Sequence, residues 1–448
     1  MQIISNNSCY ELVEELGVLV NAELKNDFKF LTKDCKVNEN QIISFLRKEP
    51  GDEEILANLA SIHSIAINLT DECCFRCSYC IYSGDYEYER THGNRTIDYK
   101  TAVKAIDFFL ELIDNNLRYR KDNTFSVGFY GGEPLLCFEQ IRQIITATEE
   151  LLIEKKLIDK FKIDFRLNTN GYLLTDEIAD FLREKNVIVD ISLDGPESEH
   201  NKLRRARDGG KTWDTVMANI ESLFARYPEY CKEKVNYLCT MHPLHDLIEL
   251  EEFFNSRPQL FNIDRIRFNA VDFKNLKPPA RKEMEKILAG KEPERMGDII
   301  SGRIASENFE GKFKLKNVGH CRKFTGTCFP GGTKVFIDCD GGFHICEKIN
   351  SNFTIGNVDF GFDFEKIRAI VKAYNEEIIK NKCWECEWWS LCAMCLALAA
   401  KNKVFKFECE KKKVYQYGLL KNHLKQLEAN DDETNSNNIG ITDYIEQL

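Results

Sequence analysis

Between Thr70 and Ser83 the chain reads TDECCFRCSYCIYS, with Cys73, Cys77 and Cys80 separated by three and then two residues. Thiolates are soft ligands, and this density of them in one short stretch suits an iron–sulfur cluster. A cubane cluster needs one ligand per iron, so three cysteines leave one iron without a partner from the chain. A small molecule could bind that iron and take an electron from it. The same residues could instead supply three ligands of a zinc site completed elsewhere, or be buried apolar thiols. Cys74 falls outside the spacing and reads as a bystander.

A second group, Cys321, Cys328, Cys346, Cys383, Cys386, Cys392, Cys395 and Cys409, follows a charged, polar connector over about 278–316. The Cys383-x-x-Cys386 and Cys392-x-x-Cys395 pairs suit four-thiolate sites, whether iron–sulfur clusters or zinc ribbons. Asp338-Cys339-Asp340-Gly341-Gly342 reads as a hairpin turn between strands over 333–337 and 343–346, which puts Cys339 at a tip and outside any ligand set. Trp384, Trp388 and Trp389 interleave the cysteines and would shield a cluster from water.

Composition narrows the classes. The chain has 448 residues, 18 of them cysteine, and a net charge of −11. That length accommodates two or three domains. No basic block offers a nucleic acid a phosphate-neutralising surface. No signal peptide is expected, and no apolar run reaches the roughly 20 residues a membrane span requires. A soluble, cytoplasmic protein follows, and there so many cysteines point to metal rather than disulfides.

Positioning the first cysteines falls to a repeating pattern that begins near Ile65. Apolar strands over 64–70, 125–129, 161–167, 187–193, 235–240 and 265–271 alternate with helical stripes such as Ala102, Ile106, Phe109 and Ile113. Such alternation implies parallel strands joined by right-handed crossovers. The repeats are too few for an eight-stranded barrel, so the expected fold is α/β, a partial, open (β/α)6 barrel. Chemistry in such folds gathers at the C-terminal strand ends. Here those ends carry the cysteine loop, then Tyr130-Gly131-Gly132-Glu133-Pro134, Asn168-Thr169-Asn170-Gly171 and Ser192-Leu193-Asp194-Gly195-Pro196. Tight turns with small polar side chains could hold an amine, a carboxylate or a ribose. Ahead of the barrel, Leu12, Val13, Leu16, Leu19 and Val20 form one helical stripe, a second helix is expected over 39–47, and a third after Asp52 as its N-cap.

With Tyr79 just before its last cysteine, the opening motif resembles the signature of radical S-adenosylmethionine enzymes. The resemblance implies that Gly131, Gly132 and Glu133 hold the methionine amine, and that Asn170, Ser192 and Asp194 contact the ribose. Arg204, or the adjacent Arg205, would pair with the carboxylate. The C-terminal cysteines resemble the SPASM extension of these enzymes, which implies two auxiliary 4Fe–4S clusters beside the first. Cys321, Cys328, Cys346 and Cys395 would hold one of them, and Cys383, Cys386, Cys392 and Cys409 the other. Two residues separate Cys392 from Cys395 where the usual pattern has three, which leaves the place of Cys395 open. Glu347, directly after Cys346, stands where some SPASM enzymes carry an acid that manages a substrate proton; its alternative is a surface carboxylate.

The stretch CSYCIYSGDYEYERTHGNRTIDY is similar to maturases of cysteine-rich ribosomal peptides, the thioether-forming sactipeptide and ranthipeptide enzymes. Their partners would be a cysteine-rich precursor peptide with its leader and a flavodoxin- or ferredoxin-type reductant. By this resemblance the radical takes a hydrogen atom from the peptide, a peptide thiolate joins the carbon, and the surplus electron leaves through the auxiliary clusters. Carbon–carbon crosslinking, sulfatase maturation, a plain multi-cluster electron carrier and a zinc-stabilised binding protein are the alternatives. The expected domains are a small leader-recognition-like module over 1–63, the barrel over 64–315, the SPASM domain over 316–427 and an acidic, disordered tail over 428–448.

Overall fold

The computed structural model describes residues 2–5, 8–13, 18–21, 39–86, 90–120, 122–242, 247–262, 265–271, 276–287, 328–349, 351–386, 394–401, 404–407 and 409. The chain opens with β1 (Gln2–Ser5), β2 (Ser8–Val13) and β3 (Val18–Asn21), an antiparallel sheet in that order. This corrects the helical stripe expected from Leu12 to Val20. β2 and β3 pair Leu12 with Leu19 and Val13 with Val18, so the apolar residues match across two strands instead of stacking along one helix. The β-branched Val13, Val18 and Val20 favour that arrangement.

Two helices follow, α1 (Glu39–Arg47) and α2 (Asp52–Ala60). The N-cap of α2 is Gly51, with Asp52 the first helical residue, where its charge still suits the helix dipole.

A ten-stranded sheet is the centre of the molecule. Within it β4 (Ser64–Thr70), β5 (Thr124–Gly131), β6 (Lys162–Thr169), β7 (Ile188–Ser192), β8 (Val235–Met241) and β9 (Ile266–Ala270) lie side by side in chain order. Each neighbouring pair is parallel. The crossovers contain α3 (Tyr99–Asp114), α4 (Phe138–Glu154), α5 (Asp176–Glu184), α6 (Glu197–Leu203), α7 (Trp213–Arg226), α8 (Pro228–Lys234) and α9 (Leu247–Asn255). Strand residues Ile67, Val127, Phe129, Leu167, Val189 and Ile191 are fully buried, as are Ile106, Phe109, Ile144 and Leu182 of the helices. Helix starts follow their caps: Asp98 accepts from Thr101 N, and Thr175 from Ile178 N. The expected partial barrel is therefore present, and α10 (Pro278–Ile287) occupies the start of the stretch read as connector.

The cysteine-rich region continues the same sheet. β10 (Lys334–Ile337) pairs in parallel with β4, Lys334 beside Ser64 and Ile337 beside Ile67. β11 (Gly342–His344), β12 (Thr354–Asn357) and β13 (Gly361–Phe362) then extend it antiparallel. The expected hairpin thus forms, and its turn needs Gly341 at φ +80°. Phe343 and Phe362 pack on Phe109 of α3, at 5.2 and 5.8 Å between ring centroids. α11 (Phe364–Lys380) meets α1, where Asn375 Nδ2 donates to the Leu46 carbonyl at 2.9 Å. The helix expected after Cys409 and the acidic tail lie outside the described residues.

Candidate active site

The loop after β4 is tied down by its backbone. Cys80 N donates to the Cys77 carbonyl at 3.0 Å, a tight turn that presents both sulfurs from one bend. Arg76 N and Ser78 N donate to the carbonyls of Arg205 and Leu203, at 2.8 and 2.9 Å, and fasten the loop to the segment after α6. The amides of Phe75 and Tyr82 reach the sulfurs of Cys73 and Cys80 at 3.3 and 3.4 Å, the kind of donor that steadies a metal-bound thiolate. Burial pushes the Cys77 thiol up to about 12 and the Cys80 thiol to about 11, while the Arg204 charge pulls both down. The Cys73 thiol is lowered, chiefly by a hydrogen bond with Cys74. Cys74 is accordingly more than a bystander: its sulfur also accepts from Asn170 Nδ2 at 3.2 Å.

Glu133 is fully buried at the end of β5. Its Oε1 accepts from Thr169 Oγ1 at 2.7 Å and Leu135 N at 3.0 Å, and its Oε2 accepts from Asn170 N at 2.7 Å. Among the described residues no cation lies within ion-pair distance of it. Burial therefore raises its pKa despite those three donors. A carboxylate held this way suits a ligand that brings hydrogen-bond donors of its own, such as an amine.

The glycines before it are there for space. A Cβ on Gly132 would run into the Glu72 carbonyl oxygen, and one on Gly131 into Asn68 Oδ1 and the Thr70 carbonyl, with Gly131 at φ +132°. Gly132→Ala is expected to cost about 2 kcal/mol or more, read as a fall in thermal midpoint. An unchanged midpoint would contradict the close approach of these backbones.

Folding raises the Glu133 pKa, so its stabilising contribution is full at low pH and is lost as pH rises through the folded value. Binding a donor at this carboxylate has the opposite sign, because it needs the ionised form. Affinity for an amine ligand is expected to fall as pH drops through that raised pKa. Glu133→Gln should weaken binding about ten- to hundredfold and flatten the profile, which calorimetry across pH would reveal.

Farther along the sheet edge stand Asp194, after β7, and Arg204, after α6, both buried. The Tyr79 hydroxyl lies 2.5 Å from Asp194 Oδ2 and 2.6 Å from Arg204 Nη1. Arg204 faces the site, and the neighbouring Arg205 is less buried. Asn170 sits beside the cysteines, and Ser192 ends β7 at the same rim.

On the other flank Glu347 follows the hairpin and meets Lys334, which lies beside Ser64 at the start of β4. It is no surface carboxylate: its side chain is 15% exposed and takes an ion pair from Lys334 Nζ at 2.7 Å. That pairing outweighs burial and lowers its pKa, so it is ionised at neutral pH. Lys334 Nζ lies 6.0 Å from the centre of the Tyr130 ring. Burial raises the Tyr130 hydroxyl, with the charge of Glu347 adding to the effect. Cys346 is raised to about 12 by burial, with Glu347 and then Cys395 adding to the effect. Cys386 N donates to the Cys383 carbonyl at 3.1 Å, a second tight turn of the kind formed by Cys77 and Cys80. Cys328 and Cys409 are among the described residues; Cys321, Cys392, Trp388 and Trp389 lie outside them. Cys339 is buried beneath its turn, its sulfur 3.5 Å from the Asn68 carbonyl.

One pair at this rim escaped the motif reading. His242 Nε2 and Glu199 Oε2 are 2.9 Å apart, both nearly fully buried, at the end of β8 beside Asp194. The rule that located the other strand-end residues, applied to β8, leads directly to His242.

Residues 67–256 match the model of the Radical SAM superfamily. That span is a radical SAM domain, the chain is an enzyme, and the family implies S-adenosylmethionine and a 4Fe–4S cluster. Over 237 residues the chain is 29% identical to the radical SAM cyclopropyl synthase TigE of Paramaledivibacter caminithermalis, a match covering 51% of this chain and 46% of that protein. Over 349 residues it is 25% identical to the cysteine-type anaerobic sulfatase-maturating enzyme of Clostridium perfringens, covering 71% of this chain and 84% of that one. The solved structure of native anSMEcpe with bound AdoMet and Kp18Cys peptide shares the fold, with TM-score 0.57 at 19% identity over 82% of this chain and 99% of that one. No helix among the described residues is long and apolar enough to cross a membrane.

Proposed function

We propose that the protein is a cytoplasmic peptide maturase that installs thioether crosslinks in a cysteine-rich, ribosomally made precursor. The observation that carries this reading is the meeting, at one sheet edge, of the Cys73–Cys80 loop with the buried Glu133 carboxylate. S-adenosylmethionine, bound at a reduced cluster, supplies a 5′-deoxyadenosyl radical. The three thiols suit a cluster by their chemistry: they leave one loop, and those of Cys73 and Cys80 receive backbone donors.

In this reading Glu133 accepts from the amine of S-adenosylmethionine, and Arg204, whose buried Nε has no partner among the described residues, takes its carboxylate. Asp194, Ser192 and Asn170 orient the ribose. Glu347, kept ionised by Lys334, accepts the proton of a substrate thiol near Cys346. Cys328, Cys346 and Cys395, with Cys321, would hold one auxiliary cluster; Cys383, Cys386 and Cys409, with Cys392, would hold the other and give the surplus electron its exit, while a flavodoxin- or ferredoxin-type reductant would supply the first cluster. The β1–β2–β3 sheet leaves strand edges to which an extended leader could add.

Sulfatase maturation is the second reading, favoured by similarity along 84% of the length of the Clostridium perfringens enzyme. Incubating the reduced enzyme and S-adenosylmethionine with two substrates separates them. One is a synthetic cysteine-rich precursor peptide carrying a leader; the other is a cysteine-type sulfatase peptide. A thioether in the first, located by fragmentation mass spectrometry, supports the proposal. An aldehyde formed only in the second supports the alternative.

A further inference from the structure

Tyr79, Asp194 and Arg204 come from three separate segments and form one bridge. Asp194 Oδ2 and Arg204 Nη1 stand 4.0 Å apart, with the Tyr79 hydroxyl hydrogen-bonded to each, at 2.5 and 2.6 Å. The hydroxyl donates to the carboxylate and accepts from the guanidinium. Asp194 and Arg204 are buried, and Tyr79 is half-buried. The other oxygen of Asp194 is fixed by Thr240 N at 2.9 Å, from β8. The guanidinium carbon lies 5.8 Å from the Phe75 ring centre and 6.0 Å from that of Tyr79.

A desolvated carboxylate and guanidinium attract strongly and, unguided, close into a direct forked pair that uses up the donors of the arginine. A hydroxyl between them prevents this. It satisfies one donor and one acceptor, holds the spacing, and leaves Arg204 Nε without a partner among the described residues. An aromatic ring alone cannot do this, since ring packing carries no hydrogen bond.

We propose that Tyr79 is a positioning residue whose hydroxyl sets Arg204 and Asp194 at the separation needed to grip the carboxylate and ribose of S-adenosylmethionine. The inference rests on the radical S-adenosylmethionine reading and adds to it a role for one oxygen atom.

The test uses full-length enzyme reconstituted anaerobically, with affinity for S-adenosylmethionine measured by equilibrium binding. Tyr79→Phe keeps the ring and is expected to retain iron content while weakening binding about tenfold. In a cycle with Asp194→Asn, the double variant is expected to bind much better than the two separate losses combined would give, because both changes break the same bridge. If wild type binds no S-adenosylmethionine, the underlying reading fails. If wild type binds and Tyr79→Phe matches it within about twofold, or the two losses simply combine, the bridge alone is overturned. Should the phenylalanine protein hold less iron, p-aminophenylalanine at position 79 provides the second comparison. Its amine donates to Asp194 but accepts poorly from Arg204, so weakened binding is expected, and wild-type affinity would overturn the proposal.

Discussion

Alanine at Cys73, Cys77 or Cys80 is expected to reduce cleavage of S-adenosylmethionine to background in anaerobically reconstituted protein. With three thiolates for four irons, losing one leaves two irons without protein ligands, and the site loses its cluster as well as its activity. The fold should tolerate the change. The loop is fastened by the backbone bonds of Arg76, Ser78 and Cys80, none of which needs a cysteine side chain. Near-wild-type melting with no 5′-deoxyadenosine formed is therefore the predicted combination. Residual cleavage in Cys77→Ala would contradict the assignment.

The second large effect concerns the other end of the electron path. Cys383→Ala or Cys386→Ala is expected to remove peptide crosslinking while some cleavage of S-adenosylmethionine survives, uncoupled from product. These cysteines leave one tight turn that follows α11 in the chain, whereas Glu133 and Arg204 stand at the barrel strand ends. Removing their cluster should leave the first site able to bind and cleave while closing the exit for the surplus electron. Quantifying crosslinked peptide and 5′-deoxyadenosine in the same reaction gives the ratio directly. A Cys383→Ala protein that crosslinks at the full rate would defeat the exit role.

Much of this architecture was legible in the sequence because the barrel strands are short and apolar and end in distinctive turns. Val187 to Leu193 could scarcely be anything but a buried strand, and Asp194-Gly195-Pro196 marks where it stops. The N-terminal strands were not legible, because Leu12, Val13, Leu19 and Val20 satisfy a helical stripe and a two-strand pairing equally well. Only the pairing of Leu12 with Leu19 decides between them. Nor could local pattern reveal that β10 lies against β4, since a parallel pairing between distant segments leaves no periodic trace. That pairing sets Lys334 beside Ser64 and gives Glu347 a partner that makes it an ion-paired, sheltered carboxylate. The motif supplied Tyr79 as an aromatic residue, whereas its hydroxyl role depends on Asp194 and Arg204 arriving from elsewhere in the fold.

The central claim is that one iron of the first cluster is left for a small molecule to ligate. Electron paramagnetic resonance of the dithionite-reduced, anaerobically prepared enzyme, recorded before and after S-adenosylmethionine is added, tests it most directly. To isolate the first cluster, the spectra are taken on a protein whose C-terminal cysteines are replaced by alanine. The account predicts a 4Fe–4S signal that changes shape when S-adenosylmethionine binds. A spectrum unaltered at saturating S-adenosylmethionine, or a site that holds zinc in place of iron, would contradict it.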